Sequence, residues 1–149
     1  LIDNDIQVIW QCGKGYINNL TIFKQELNSD LVYLSDFIYK MDLAYAAADV
    51  IVSRAGAMSV SELCLISKPT ILVPSPNVSE DHQTKNAMAL VSQNAAILIK
   101  DSEAKVKLVD QIIELMADDE LQKSLAMEIK KLGILDAAER ILKEIENIV

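Results

Sequence analysis

Several of the residue types that mark specialised proteins are scarce in this chain of 149 residues. It has only two cysteines, and Cys12 and Cys64 lie far apart, without the CxxC or Cys/His spacing of zinc ligands. The sequence also lacks the positively charged segment followed by an apolar segment that marks a secretory signal peptide. These absences predict a protein of the reducing cytoplasm that has no metal site.

Basic residues are few as well: 14 Lys and Arg stand against 22 Asp and Glu, which gives a net charge of −8. Because no cluster of positive charge is present to meet a phosphate backbone, nucleic acid is not expected as a partner. No apolar run approaches the roughly 20 residues that span a bilayer. We therefore expect a soluble chain, which could still work at a membrane surface.

Linkers and repeats are also missing. The sequence has no Pro/Gly-rich or low-complexity tract, and 51% of its residues are hydrophobic, so residues 1–149 are predicted to form one domain with a substantial core. The chain begins with Leu1 rather than methionine and enters a strand-like run almost at once. From this we expect a piece of a longer protein, with part of a site left outside it.

What the chain does contain is a regular alternation of apolar runs and helical patterns. Five short, continuous apolar runs are typical of strands covered on both faces: 6–10, 31–35, 49–53, 69–74 and 95–100. Helical spacing lies between them, near residues 16–28, 41–48, 58–66 and 82–93, and the chain is wholly helical from about residue 101. This alternation predicts an α/β fold, a doubly wound parallel sheet with C-terminal helices.

The loop after the third apolar run is a candidate binding loop, because ligands in such sheets bind at the carboxyl ends of the strands. Its sequence "RAGAMSVSE" has small residues that let a phosphate approach backbone N–H groups and a helix N-terminus. Glu62, one turn into that helix, is placed to accept hydrogen bonds from two sugar hydroxyls. The alternative is an ordinary helix start, with Ser59 as N-cap and Glu62 completing a capping box.

The loop after the fourth apolar run, "SPNVSEDHQTKNA", carries a second set of candidates. Ser79 or Asp81 would cap a helix that bears His82, Gln83 and Asn86 near its start. Amides and imidazole both donate and accept hydrogen bonds, which suits a hydroxyl-rich ligand. Solvent exposure is the alternative for the single histidine.

Two further loops follow the first and second apolar runs. In "QCGKGY", Gly13 and Gly15 permit a tight turn, and Lys14 is either solvated or near a phosphate. Phe37 and Ile38 stand at the end of the second run. The aromatic ring there would either cover a flat base or pack against the next helix.

Four segments taken together resemble a known family. In order and spacing, "QCGKG", "FIYKMDLAYAAADVIVSRAGAMSVSEL", "KPTILVPSP" and "EDHQTKNAMAL" are similar to the donor-binding half of the MurG-type UDP-N-acetylglucosamine transferases, membrane-associated enzymes that make lipid II for peptidoglycan. The resemblance runs through residues 8–100, and "ILDAAERI" looks like the closing helix of that family. It implies one half of a GT-B fold: the C-terminal of two Rossmann-like domains, which grips the donor, with the N-terminal acceptor domain absent from this chain.

The resemblance also implies a set of donor contacts. In the family, the strand-end phenylalanine covers the uracil and the backbone of the next residue pairs with it, which assigns those roles to Phe37 and Ile38. The glutamate of the small-residue helix holds the ribose diol, a role that falls to Glu62. The loop before it lies along the diphosphate and sugar and corresponds to Arg54, Gly56, Ala57, Met58, Ser59, Val60 and Ser61.

Two positions depart from the family pattern. Family members usually have two glutamines that contact the N-acetylglucosamine hydroxyls, whereas here the first is His82, and the remaining contacts fall to Gln83 and Asn86. A hydroxyl residue usually touches a phosphate at the position that holds Cys12, whose thiol is a weaker hydrogen-bonding group. No residue of this chain is assigned as a catalytic base.

The activity that the resemblance implies is an inverting transfer of N-acetylglucosamine from UDP-N-acetylglucosamine to the C4 hydroxyl of lipid I, which gives lipid II without a cofactor or metal. The missing N-terminal domain would supply the lipid I site and the contact with the cytoplasmic face of the membrane, so the chain alone is expected to be inactive. Two alternatives remain open: the donor domain of another UDP-sugar glycosyltransferase, and a non-catalytic subunit that binds a nucleotide-sugar or a partner protein.

Overall fold

The computed structural model describes residues 1–27, 29–76 and 81–148. Its strands are β1 (Val8–Gln11), β2 (Val32–Ser35), β3 (Ile51–Ser53), β4 (Thr70–Leu72) and β5 (Ile97–Leu98). Its helices are α1 (Ile17–Leu27), α2 (Met41–Ala47), α3 (Ala57–Ile66), α4 (His82–Val91), α5 (Asp101–Ala117), α6 (Asp119–Lys131) and α7 (Ala137–Glu146). Four of the five apolar runs contain one of these strands and the first overlaps β1, which confirms the predicted α/β class.

All strand pairing in the described part of the chain is parallel. β1 pairs with β2, with Val8 opposite Val32, and these two strands form one sheet. A second sheet has the order β3-β4-β5, with Ile51 opposite Thr70 and Ile71 opposite Ile97. Helices α1, α3 and α4 make the crossovers that parallel neighbours require.

The three-stranded sheet is covered by helices on both faces. Successive residues of β4 enter different clusters of buried side chains: Ile71 joins the cluster that includes Leu115 of α5, and Leu72 joins the cluster that includes Leu63 of α3. Both β4 side chains are 0% exposed. Because alternate residues of a strand point to opposite faces, this division confirms a strand buried on both sides, as in a doubly wound sheet.

Helix α6 joins the two buried clusters. Its Leu125 packs in the cluster with α5, and its Ile129, one turn later, packs in the cluster with α3 and α4. Asp118 caps this helix, since its Oδ1 accepts a hydrogen bond from the Leu121 N–H at 2.9 Å. The predicted helical tail therefore completes the core of the domain.

The two-stranded sheet differs from the prediction of strands covered on both faces. Ile9 and Trp10 of β1 are 45% and 43% exposed, and Tyr33 of β2 is 60% exposed. A continuous apolar run reports side-chain type but not the number of layers that cover it, so the burial prediction is wrong for β1 and β2. Among the described strands, β1 has a partner on one edge only.

We predict that Gly133→Ala destabilises the fold. An added Cβ at Gly133 would lie 2.9 Å from the carbonyl oxygen of Cys64, which fixes how closely the end of α6 approaches α3. Relieving that contact should cost about 1–3 kcal/mol of unfolding free energy, the usual range for overpacking. Urea unfolding followed by circular dichroism measures the change.

Gly15→Ala is the matched control, because a Cβ at Gly15 would meet nothing within 4 Å. It should leave the unfolding free energy unchanged or slightly raised, since alanine restricts the unfolded chain more than glycine does. Equal stability of the two variants would contradict the close approach of α6 to α3.

Candidate functional site

The predicted site residues lie in the loops at the carboxyl ends of the strands and near the starts of the helices that follow these loops. Cys12 follows β1, Phe37 and Ile38 follow β2, and Arg54 follows β3. The residues after β4 lead to α4, which begins at His82. Ser79, proposed as a helix cap, lies outside the described residues.

The loop after β1 is tied to the end of β2. The Cys12 and Gly13 N–H groups donate to the carbonyl oxygens of Ser35 and Asp36 at 2.9 and 3.1 Å. Gly13 adopts φ +80°, a conformation that favours glycine. The Cys12 thiol is half-buried and lies 3.4 Å from the Ser35 carbonyl oxygen, so in this structure the sulfur faces the backbone of β2.

Phe37 and Ile38 line an open cleft of about 500 Å³ beside β2 and α2. The Phe37 ring is 52% exposed and meets Tyr39 edge to face, with ring centroids 5.1 Å apart. The Ile38 N–H donates to Oε1 of Gln11 at 2.9 Å. The aromatic ring therefore borders a surface cleft, and the backbone N–H beside it already has a side-chain acceptor.

Helix α3 begins without a side-chain cap. Gly56 occupies the N-cap position, and the side chains of Ala57 and Met58 at the start of the helix are exposed. The first N–H groups of a helix have no partner within the helix, and together with its dipole they favour an anion. The start of α3 therefore has no side-chain cap that would occupy the position of an anion, and phosphate binding there stays a prediction.

The capping-box alternative for this helix is wrong. Ser59 lies inside α3 instead of preceding it, and the Glu62 carboxylate does not fold back to the helix start. Instead, Oε2 of Glu62 accepts a hydrogen bond from the Tyr45 hydroxyl of α2 at 3.1 Å. Burial, reinforced by the neighbouring Glu62 carboxylate, raises the pKa of Tyr45 to about 12.

The amides of α4 hold the backbone of the loop between β3 and α3. Oε1 of Gln83 accepts hydrogen bonds from the N–H groups of Ala55, at 3.3 Å, and Ser75, at 2.8 Å. Nδ2 of Asn86 donates to the Ala55 carbonyl oxygen at 3.0 Å. The helix itself starts after Asp81, which occupies the N-cap position with φ +56° but makes no side-chain cap, and the His82 side chain is exposed.

Arg54 links three elements. Its guanidinium donates to the carbonyl oxygens of Val73 and Pro74 at 3.1 and 3.4 Å, and it forms an ion pair with Asp101 at the start of α5. Half of the side chain remains exposed. Its contacts in this structure therefore fix the loops after β3 and β4.

The structure brings together the candidates that follow β3 and those that follow β4. Hydrogen bonds through Ala55 join the loop before α3 to Gln83 and Asn86. Cys12, Phe37 and Ile38 follow the strands of the two-stranded sheet. Helix α2 connects this part of the site to Glu62, because α2 lines the cleft beside Phe37 and its Tyr45 donates to Glu62. The predicted residues thus lie in neighbouring loops and helix starts, and their contacts with a ligand stay predictions.

Sequence reasoning missed two residues that contact the candidate site. Gln11 is the last residue of β1, and Tyr45 is the only aromatic side chain of the alanine-rich helix α2. Their positions at a strand end and on the helix before β3 are the signals that could have pointed to them. The partners, Ile38 and Glu62, are 27 and 17 residues away in sequence and could not be assigned without the fold.

Within the described residues, no group of three His, Cys, Asp or Glu side chains is arranged to hold a metal ion. The two cysteines are both free, and burial raises the pKa of the Cys64 thiol. None of the described helices is long and apolar enough to cross a bilayer.

A parallel sheet with helices on both faces, with polar loops and an uncapped helix start at the strand ends, defines a Rossmann-like nucleotide-binding type of α/β domain. Residues 1–141 match the family described as "Glycosyltransferase family 28 C-terminal domain". The chain belongs to this family.

Two bacterial proteins that are similar to this chain carry the same name. The UDP-N-acetylglucosamine--N-acetylmuramyl-(pentapeptide) pyrophosphoryl-undecaprenol N-acetylglucosamine transferase of Bacteroides thetaiotaomicron is 51% identical over 96% of this chain and 39% of its own length. The protein of the same name from Parabacteroides distasonis is 48% identical over 98% of this chain and 40% of its own length. The chain thus spans about two fifths of the length of these relatives.

A solved structure agrees with the fold. The crystal structure of Acinetobacter baumannii MurG superposes on this chain with a TM-score of 0.81 at 26% sequence identity. The matched region covers 95% of this chain and 41% of the MurG chain. This likeness confirms the predicted resemblance and places the chain in one half of a GT-B glycosyltransferase fold.

We predict that Gln83→Ala lowers stability. The variant leaves the buried Ala55 N–H and the Ser75 N–H without the Gln83 acceptor, which should cost about 1–3 kcal/mol of unfolding free energy. Gln93→Ala, in the exposed turn after α4, is the control and should change it by less than about 0.5 kcal/mol. Unfolding curves that coincide for Gln83→Ala and the unmodified chain would show that this brace contributes nothing.

Proposed function

We propose that this chain is the donor-binding half of an inverting glycosyltransferase that transfers N-acetylglucosamine from UDP-N-acetylglucosamine to lipid I, giving lipid II. Relatives of 48–51% identity that carry the name of this transferase support the proposal, and they match 96–98% of the chain. Because the chain spans about two fifths of their length, the activity belongs to a protein that also supplies the remaining part.

The observation that carries the proposal is the pairing of an uncapped helix start with an exposed carboxylate one turn further along. The N–H groups at the start of α3 suit the diphosphate, and the Glu62 carboxylate suits two vicinal hydroxyls of the ribose. We assign the diphosphate and sugar to the loop that ends at Gly56 and to the first residues of α3, 57–61, and we assign the ribose to Glu62. Arg54 supports this loop through its contacts with Val73 and Pro74.

The uracil is assigned to the cleft after β2. The exposed Phe37 ring would cover the base, and the backbone of Ile38 would pair with its edge. Because the Ile38 N–H already donates to Gln11, that side chain must yield its bond or share it when the base binds. The Cys12 thiol faces the Ser35 carbonyl and would reach a phosphate only by changing its rotamer.

The sugar is assigned to α4 together with the loop before α3. Oε1 of Gln83 and Nδ2 of Asn86 are engaged with the backbone. Nε2 of Gln83 and Oδ1 of Asn86 are not used in these bonds, and they provide the donor and acceptor for sugar hydroxyls. His82, exposed at the start of α4, is the third residue that we assign to contact with UDP-N-acetylglucosamine.

In the transfer, the acceptor C4 hydroxyl attacks the anomeric carbon on the face opposite the diphosphate. The bond from that carbon to the phosphate oxygen breaks, UDP leaves with the electron pair, and the hydroxyl proton passes to a base. N–H groups fixed at the start of α3 would stabilise the charge that develops on the departing diphosphate. The base, the lipid I site and the contact with the cytoplasmic face of the membrane are assigned to the part of the relatives that this chain does not span.

No cofactor or metal is needed for these assignments, because the helix start and neutral polar groups meet the charge of the donor. Two alternative functions predict different results for ligand binding and for sugar transfer. The donor domain of another glycosyltransferase would favour a different UDP-sugar. A non-catalytic subunit would bind the nucleotide-sugar but support no transfer when combined with the rest of the protein.

We predict that the chain binds UDP more tightly than ADP and that Glu62→Ala weakens UDP. Loss of the ribose contact should cost about 1–3 kcal/mol, the range for hydrogen bonds to charged groups. Isothermal titration with UDP and ADP measures both effects. Glu139→Ala, on the exposed start of α7, is a control that removes the same charge from a helix that carries none of the predicted site residues, and it should leave UDP binding unchanged. UDP affinity that is unaltered in folded Glu62→Ala would refute the ribose assignment.

We also predict that Asn86→Ala weakens UDP-N-acetylglucosamine more than it weakens UDP. The Asn86 amide is assigned to the sugar, so its loss should reduce the gain in affinity that the sugar provides. The variant also removes the hydrogen bond to the Ala55 carbonyl oxygen, but that change should affect both ligands equally. The ratio of the two dissociation constants is the measurement. His82→Gln, which restores the residue usual in the family, should keep that ratio. An unchanged ratio in Asn86→Ala would place the side chain in the scaffold only.

A further inference from the structure

Tyr45 stands behind the carboxylate that is assigned to the ribose. Its hydroxyl donates to Oε2 of Glu62 at 3.1 Å, and this bond connects α2 to α3. The Tyr45 ring packs against the buried cluster that contains Leu63 and Ala55. The half-buried tyrosine that donates is therefore held against the core, while the glutamate that accepts is an exposed side chain.

The bond restricts a side chain that would otherwise be free to rotate. An exposed glutamate on a helix surface samples many rotamers, and ordering it when a ligand binds costs conformational entropy. With Oε2 held by Tyr45, the carboxylate has one fixed oxygen, and Oε1 is left to accept hydrogen bonds from a ligand. Preorganisation of this kind increases affinity without adding a direct contact.

We propose that Tyr45 is a positioning residue for nucleotide binding, which acts by holding Glu62 in the orientation that accepts the two ribose hydroxyls. This inference rests on the proposed function, because it takes the ribose as the ligand of Glu62. Tyr45 itself need not touch the nucleotide.

The protonation state of Tyr45 supports this role. Burial, and then the Glu62 carboxylate, raise the pKa of the phenol to about 12, so the hydroxyl keeps its proton at neutral pH and can only donate to the carboxylate. A raised pKa in the folded chain means that the stabilising contribution is complete below pH 10, the ordinary value, and is lost between about pH 10 and 12. The positioning bond is therefore intact throughout the physiological range.

The test uses Tyr45→Phe, which keeps the packed ring and removes only the hydroxyl. UDP should bind about fivefold more weakly to this variant, the loss expected for one hydrogen bond of ordinary strength. Binding of 2′,3′-dideoxy-UDP, which lacks both ribose hydroxyls, should change by less than about twofold. Tyr16→Phe is the control, since Tyr16 is 69% exposed before α1 and should alter neither affinity.

A purely structural role of the bond gives a different result. If Tyr45→Phe only loosened the packing of α2 on α3, both ligands would lose affinity by the same factor, and this outcome would overturn the proposal. The double variant Tyr45→Phe/Glu62→Ala gives a second measurement. Once Glu62 is gone, removing the hydroxyl should cause no further loss for UDP, and an additional fivefold loss would contradict action through Glu62.

Failure of this inference and failure of the proposed function can be told apart. If Glu62→Ala weakens UDP but Tyr45→Phe leaves it within about twofold, Glu62 binds the ribose without help from Tyr45 and only the positioning role is wrong. If neither variant affects UDP, or if the unmodified chain does not bind UDP, the assignment of the ribose to Glu62 is wrong.

Discussion

The peptide groups of Ala55 are buried where β3 turns into α3, and they need hydrogen-bond partners that the turn itself cannot supply. Ala55 is 0% exposed, and the bonds come from α4: Gln83 accepts from its N–H and Asn86 donates to its carbonyl oxygen. A buried peptide without partners is costly, so the loop adopts this path only with α4 in place. The same Gln83 oxygen also accepts from Ser75, which binds the loop after β4 into the arrangement.

This dependence leaves the start of α3 accessible. A helix is commonly capped by a serine, threonine or aspartate of its own sequence, which occupies the space where an anion would bind. Here Gly56 holds the N-cap position and the loop is instead braced from the side by α4, with Arg54 adding contacts to Val73 and Pro74. The helix N–H groups therefore remain open to a ligand although the loop is fixed, a combination that favours a preorganised diphosphate site.

The sequence predicts the fold well because apolar runs and helical spacing are local signals. They place each strand and most helix starts within a few residues. Two runs extend past their strands because apolar side chains continue after Leu72 and Leu98, whereas β1 extends one residue past its run, to Gln11. Burial of β1 and β2 was overestimated, since exposure depends on which layers cover a strand. The capping role of Glu62 could be excluded only from the observed start of α3 and the bond from Tyr45, and the bracing roles of Gln83 and Asn86 required contacts 28 and 31 residues apart.

The candidate site is supported by two sheets that are buried to different degrees. The loops at Arg54 and Ser75 follow strands of the three-stranded sheet, whose central strand is buried on both faces, whereas the cleft at Phe37 follows a two-stranded sheet with Trp10 and Tyr33 43% and 60% exposed. Two paired strands have little stability of their own, so local opening is expected first at this sheet. A ligand that contacts both Phe37 and Glu62 would stabilise the conformation in which the cleft is formed. It would therefore order the less buried sheet against the loop before α3, which is already fixed by its hydrogen bonds.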